Sequence, residues 1–597
     1  MSSSSPHLLL RAPTPSQLSL TFCEATPRDM KRWIATLPKA NLGETARQLY
    51  QGLLELNQLV TRSENRLQLL ELLRPEVYYV CKHLERHFLN QSIVLDERAR
   101  KVANLCQALQ NHLAVGYKQI ICRLSPKFSK DRAALLSMAI QRALHCLNGP
   151  LIRASLLYCP VPDGLWRELH QLYQVALHHQ LQQQVVPDEL ASHARTLSIE
   201  QTYAAALLMG SSRCNQMRQG SIARLADVLE SWGALVRVQA ACDDNSLFAV
   251  APAIDGPPRY KSLFVEAQAT SLLGLDPSKL VQAIDSYLQL PAEQRSGSPL
   301  LVPQGFTIDL LQHLNAAWGD VAERTFHRAP GQGNLSVCIG MSALHYYLSG
   351  ERSFSEVLRR PEVGSANFAS PQARKDDSST WALAFDAPQN STQAHMLPYE
   401  EIQYHNEQGD GASSASNAQQ DFPIHALNII NHSPGGYCLA WPKEVPAQLQ
   451  AGEMLGIQDS PAQGWSIAVV RWIRQVRSGG TQMGIELVAP YAQPCGLQLL
   501  RNAQESSQYL RGLLLPEIRA IDIPASMIAP RLPFQEGNKV MINTKGEEKR
   551  ASLGKRVSGT GSFNQFEYKT QEPLASKAVA SGEQVAGENF DSLWGDL

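Results

Sequence analysis

Charge of one sign, long apolar runs and catalytic signatures are all scarce in this chain. Lys plus Arg number 54 and Asp plus Glu 55 among 597 residues, so no net excess marks the whole molecule as a nucleic-acid binder. No apolar stretch reaches the ~18 residues that a membrane span needs. Met1-Ser-Ser-Ser-Ser-Pro-His7 lacks a charged segment followed by an apolar core and does not read as a secretory signal. The 11 cysteines include no Cys-x-x-Cys pair, and the odd count in a long chain predicts buried thiols in a reducing cytoplasm. The Gly-x-x-x-x-Gly-Lys-Ser/Thr loop and the Gly-x-Ser-x-Gly elbow are both missing. Pro330-Gly-Gln-Gly333 lacks the strand and further glycines of a dinucleotide fold. His83 and His87 stand four apart, but Glu85 follows the first by two and no third ligand is in view, so a solvated helix is expected rather than zinc. No catalytic residue, metal ligand or bound cofactor is expected, and the chain does not read as an enzyme.

What is present is 44% hydrophobic residues, enough for real cores in about four domains. Residues 1–28 are Ser/Pro-rich and read as a flexible arm. Residues 29–320 read as helical, with Leu49, Leu53 and Leu56 at helical spacing and a bundle or repeat-like architecture implied. Pro75 and the Asn-Gly-Pro at 148–150 are expected to end helices, as is Pro-Val-Pro-Asp-Gly at 160–164. The alternation in 234–264 suggests a hairpin set into this region, with helical spacing resuming from Ser271 to Trp318.

Beyond Arg324 the pattern changes. Asn334-Leu-Ser-Val-Cys-Ile339 reads as a strand and Ser342–Ser349 as a helix, followed by a polar, flexible insertion over about 350–420. Short strands with turn punctuation then crowd 421–488, the pattern of a small antiparallel barrel within 321–500. A second strand-rich block occupies 501–572, and 573–597 is expected to be a flexible tail. The predicted class is multidomain α+β, a helical bundle or repeat-like region followed by an antiparallel β-barrel and a further strand-rich block.

Two motifs stand out. Arg324-Thr-Phe-His-Arg328 precedes the barrel, and Asn431-His-Ser433-Pro-Gly-Gly436 follows an apolar strand. With the strands Ile467–Trp472 and Met483–Leu487, they resemble a PilZ domain, whose family carries Arg-x-x-x-Arg before the barrel and Asp/Asn-x-Ser-x-x-Gly at a barrel turn. The resemblance covers about 321–500, and the 102 residues between Arg328 and Asn431 exceed the spacing in a compact PilZ domain.

PilZ domains resembling this one bind the second messenger cyclic di-GMP, with two guanines and two singly charged phosphodiesters. An arginine fork matches the O6/N7 edge of guanine, worth about 1–3 kcal/mol of discrimination, and also bridges phosphate. By resemblance Arg324 and Arg328 would clamp guanine and phosphate, Asn431 would hydrogen-bond a guanine edge, Ser433 would contact guanine or phosphate, and Gly436 would permit the tight turn and close backbone approach. The Gly-Gly-Asp-Glu-Phe and Glu-Ala-Leu signatures of enzymes that make or degrade the messenger are lacking. The resemblance thus implies a cytoplasmic receptor that passes the messenger level to a protein partner through the helical region, with no nucleic acid and no membrane span involved. The layout also resembles receptors that link the messenger to type IV pilus assembly and surface motility, which would place it at the cell pole. The alternative is a PilZ-like structural adaptor that has lost ligand binding. The basic residues Lys545, Lys549, Arg550, Lys555 and Arg556 are expected to be charged strand edges.

Overall fold

The computed structural model describes Leu10 and residues 12–241, 246–265, 271–319, 327–359, 422–442, 444–477, 479–500, 507–517 and 524–570. The fold is multidomain α+β, with a helical N-terminal region and two β-barrels.

The helical region begins with α1 (Pro27–Thr36), α2 (Leu42–Gln58), α3 (Ser63–Leu84), α4 (Glu97–Leu124) and α5 (Ala133–Leu156). It continues with α6 (Leu165–His178), two short paired strands β1 (Val185–Pro187) and β2 (Thr196–Ser198), α7 (Ile199–Ser211) and α8 (Gln219–Trp232). Caps set several of these starts. Asn41 and Asp96 accept from backbone N–H groups at the starts of α2 and α4, and Ser198 and Gln201 form a capping box on α7. Leu49, Leu53 and Leu56 are buried, and α4 packs against α2, α3 and α5.

Two expected helix ends are overturned. Pro75 lies inside α3 and Pro150 inside α5, while the 160–164 break does separate α5 from α6. Both prolines sit in long helices whose flanking turns are buried on both sides of the interruption, so tertiary burial outweighs the local penalty. The expected loose arm is likewise packed along its described part: Val60 N–H donates to Gln17 O, and Thr21 donates twice to the Glu55 carboxylate.

The hairpin expected at 234–264 is one part of a four-stranded sheet of order β3-β6-β4-β5, built from β3 (Arg237–Ala240), β4 (Phe248–Val250), β5 (Arg259–Tyr260) and β6 (Leu273–Asp276). Leu273–Asp276 is therefore a strand, not the resumption of helix. Helices α9 (Ser278–Gln289) and α10 (Ile308–Gly319) follow, and the Trp318 ring of α10 meets Trp232 of α8 edge-on at 6.1 Å.

The middle barrel comprises β7 (Ala329–Pro330), β8 (Asn334–Ile339), β9 (His425–Ser433), β10 (Gly436–Trp441), β11 (Met454–Gln458), β12 (Ser466–Gln475) and β13 (Thr481–Ala489). Its order is β10-β13-β12-β11-β8-β9-β7, and β9 also pairs with β10, which closes the ring. Helix α11 (Gly340–Leu348) follows β8, and a short α12 (Phe354–Val357), fixed by a Ser353/Glu356 capping box, falls inside the segment expected to be flexible. Most of that insertion, including Trp381–Phe385, lies outside the described residues.

The second barrel is closed in the order β14-β15-β16-β19-β18-β17. Its strands are β14 (Gln493–Leu499), β15 (Leu510–Leu515), β16 (Ser526–Pro530), β17 (Lys539–Thr544), β18 (Glu547–Gly559) and β19 (Phe563–Thr570). It starts before residue 500. Ala343 and Leu344 of α11 pack between the barrels, against Met454 and Val469 on one side and Leu513 and Ile528 on the other. The inner face of the middle barrel, including Leu439, Met483 and Ile485, joins the same apolar cluster as the helices. At that junction Gln475 at the end of β12 donates its N–H to Tyr158 O and its side chain to Ile93 O and Leu157 O.

Candidate ligand-binding face

Register decides which motif residues meet. β7 pairs with the end of β9, Ala329 opposite His432 and Pro330 opposite Asn431. Farther along, β8 pairs with the same edge of β9, Asn334 opposite Asn428. The chain leaving the Arg-x-x-x-Arg motif thus runs antiparallel along the strand that carries Asn-x-Ser. Arg328, one residue before β7, is exposed, and its Nη1 donates to Asn431 Oδ1 at 3.0 Å. The 102-residue sequence gap closes into a direct contact. Arg324 lies outside the described residues, as does Phe326; His327 is exposed beside Arg328.

Ser433 and Gly436 pair across a two-residue turn, Pro434-Gly435, that joins β9 to β10. A side chain at Gly436 is excluded: its Cβ would stand 2.0 Å from Ile485 O, and its φ is +151°. Leu487 N–H donates to Gly435 O at 3.0 Å, which ties the turn to β13. Three of the expected residues, Arg328, Asn431 and Ser433, therefore cluster at one turn, and Gly436 lets that turn lie flat on the neighbouring strand.

The register carries a row across the outside of the barrel. Asn431 opposes Cys438, Cys438 opposes Gly484, and Gly484 opposes Trp472. A Cβ at Gly484 would sit 2.0 Å from Trp472 Nε1, so the missing side chain is what lets the indole lie on the strand. Arg474 stacks over the Trp472 ring, 5.3 Å from its centroid, and donates to Gln482 Oε1. Burial raises the Cys438 thiol above its usual range, while Arg328 and Arg474 both pull it back down. Two guanidinium groups thus flank this row from opposite sides.

Trp472, Arg474 and Gly484 were missed by motif reading. Two signals for them were present: a glycine inside a strand, and a Trp-x-Arg alternation that sets both side chains on one face. Arg471 pairs with Glu486, next to Gly436 on β13. The face is open, lined by arginine, amide and hydroxyl groups with an aromatic floor, and is suited to a planar, anionic ligand. Among the described residues no group of three His, Cys, Asp or Glu side chains is placed to hold a metal ion, and no helix is long and apolar enough to cross a membrane.

Three family models match this chain in order. The N-terminal domain model of the cyclic-di-GMP receptor FimW matches residues 28–243, the "middle PilZ domain" model 247–494, and the "FimW C-terminal beta-barrel domain" model 495–571. The chain is 59% identical to the cyclic-di-GMP receptor FimW of Pseudomonas aeruginosa over 611 aligned positions, covering 100% of both chains. No solved structure matches.

Proposed function

From the premise that this chain belongs to the FimW family, we propose that it is a receptor for cyclic di-GMP, bound on the outer face of the middle barrel around Arg328, Asn431, Ser433 and Gly436, with Arg324 closing from the arm. The observation that carries this reading is the contact of Arg328 with Asn431, which brings the two motifs to one place. In this account the ligand displaces that contact. The Arg328 fork turns to guanine or phosphate, and the freed Asn431 amide and the Ser433 hydroxyl bond a guanine edge. Trp472 offers a stacking surface and Arg474 a further cation.

The output follows from connectivity. The arm leaves α10, which is held to the helical region through Trp318 and through the His313–Ser212 O contact, and to the second barrel through Asp309–Arg556 at 2.6 Å. A ligand that engages Arg324 and Arg328 together would bias the placement of α10, and a protein partner reading the helical region would sense it. Control of type IV pilus assembly or surface motility, and a place at the cell pole, belong to this proposal.

Competition dialysis with labelled cyclic di-GMP tests it. The wild-type chain should retain the label against excess GTP and cyclic di-AMP, and Arg324→Ala/Arg328→Ala should not retain it. A folded wild-type chain that binds no label would overturn the reading and leave a structural adaptor.

A further inference from the structure

A cleft of about 490 Å³ opens where the helical region, the middle barrel and the second barrel meet. Four arginines line it: Arg218 and Arg224 from α8 and its cap, Arg471 from β12, and Arg531 just after β16. Two of them are committed. Arg218 bonds Ala451 O and Ser562 Oγ and lies 3.5 Å from Glu453, so it clasps both barrels to the helices. Arg471 is paired with Glu486. Asp309, the one carboxylate on the lining, is already held by Arg556. Arg224 and Arg531 make no side-chain hydrogen bond or ion pair among the described residues. The cleft thus offers two guanidinium groups outside any ion pair, Arg224 exposed and Arg531 half-buried.

The surroundings show why this concentration is tolerated and what would relieve it. Burial lowers the Arg218 guanidinium from its usual value, Glu453 opposes that, and Arg531 adds to it, so like charges crowd each other here. Gly220, in the first turn of α8, faces open space, and the cap residue Arg218 supplies no side-chain hydrogen bond to the helix end. Tyr158 on the cleft wall holds φ at +54°, and its hydroxyl donates to Met217 O. A left-handed backbone residue at one wall, two guanidinium groups outside ion pairs and the buried apolar side chains of Leu310 and Leu449 thus line one open cleft. Its volume is in the range of small-molecule sites, roughly 300–1,000 Å³.

We propose that this junction cleft is a second binding site, separate from the motif face, for a phosphate-bearing small molecule of nucleotide size carrying at least two negative charges. Arg224 and Arg531 take the phosphate oxygens, and the helix end adds N–H groups to the same anion. Because all three domains contribute to the wall, occupancy locks their relative placement.

The test uses the full chain. Isothermal titrations with pyrophosphate, GTP and cyclic di-GMP are run at low salt. The first two are repeated with cyclic di-GMP saturating, for wild type, Arg224→Ala/Arg531→Ala and Arg328→Ala. The expected result is binding of pyrophosphate or GTP, or a second equivalent of cyclic di-GMP, weakened by about tenfold or more in the Arg224/Arg531 variant and kept in Arg328→Ala. Which probe binds distinguishes a bare diphosphate from a nucleotide and from the messenger itself. No heat from any probe beyond a single equivalent of cyclic di-GMP, or affinities unchanged by removing both arginines, would overturn the proposal. Circular dichroism and thermal unfolding check the fold of each variant, and Arg224→Gln and Arg531→Gln singly replace a double variant that does not fold. Loss of one equivalent of cyclic di-GMP in Arg328→Ala, with any junction equivalent kept, reports on the motif face alone, so the two sites fail or stand independently.

Discussion

The helical region and the middle barrel handle charge in opposite ways. In the helices, Arg74 grips Asp188 through both oxygens at 2.8 and 2.9 Å, with the pair 3% and 0% exposed. Arg142 bridges Asp188 and Glu71, and Lys118 meets both oxygens of Glu168 at 2.8 Å. In the barrel, Arg328, Arg471 and Arg474 are exposed and reach amides or a single surface carboxylate. Buried charges whose partners are fixed hold a structure together. Exposed guanidinium groups resting on amides are free to exchange those partners for a ligand at little cost to the fold.

The strongest way to break this contrast is Asp188→Ala. It leaves Arg74 without its carboxylate in the helical core, and a loss of about 3–5 kcal/mol is expected, read as a lowered thermal transition of the helical region. Arg328→Ala should do the reverse. Stability is expected to change by less than about 0.5 kcal/mol, while cyclic di-GMP affinity falls by about ten- to a hundredfold in titration.

A pH experiment sharpens the contrast further. Burial, with Asp188 nearby, pushes the Glu230 carboxyl up to about 7, and burial pulls the facing His145 down to about 3. A carboxyl whose folded pKa is raised supports folding at low pH and loses that support as pH rises from about 4.5 to about 7. Glu230→Gln should therefore gain stability relative to wild type between pH 5 and pH 8, on the order of 2 kcal/mol in denaturant midpoints. The smallest effect is expected at the exposed Arg477–Asp163 pair between barrel and helices. Arg477→Ala should cost under about 1 kcal/mol and nothing at high salt.

The parts legible in the sequence were those with a local period or a local motif. Leu49, Leu53 and Leu56 announce their helix, and the strand at 334–339 and the turn at 431–436 were readable from alternation and turn residues. Pro75 and Pro150 misled because a local rule about proline yields to burial of the turns around it. The Arg74–Asp188 pair spans 114 residues and leaves no local trace. The same holds for the sheet of β3 to β6, whose last strand, Leu273–Asp276, falls where helical spacing was expected. On the candidate face, Arg328 and Asn431 were singled out because motif order connects them across 102 residues, and they are in contact, whereas Trp472, Arg474 and Gly484 are brought together only by register.

Hydrogen exchange on the full chain, with and without cyclic di-GMP, tests the central claim most directly, because it reports where the ligand acts. The account predicts slowed exchange in peptides covering 327–333 and 428–438, where β7, β9 and β10 meet, with the buried ion pairs of the helical core unchanged. Bound ligand with no protection in those two stretches, or protection confined to the helical core, would contradict it.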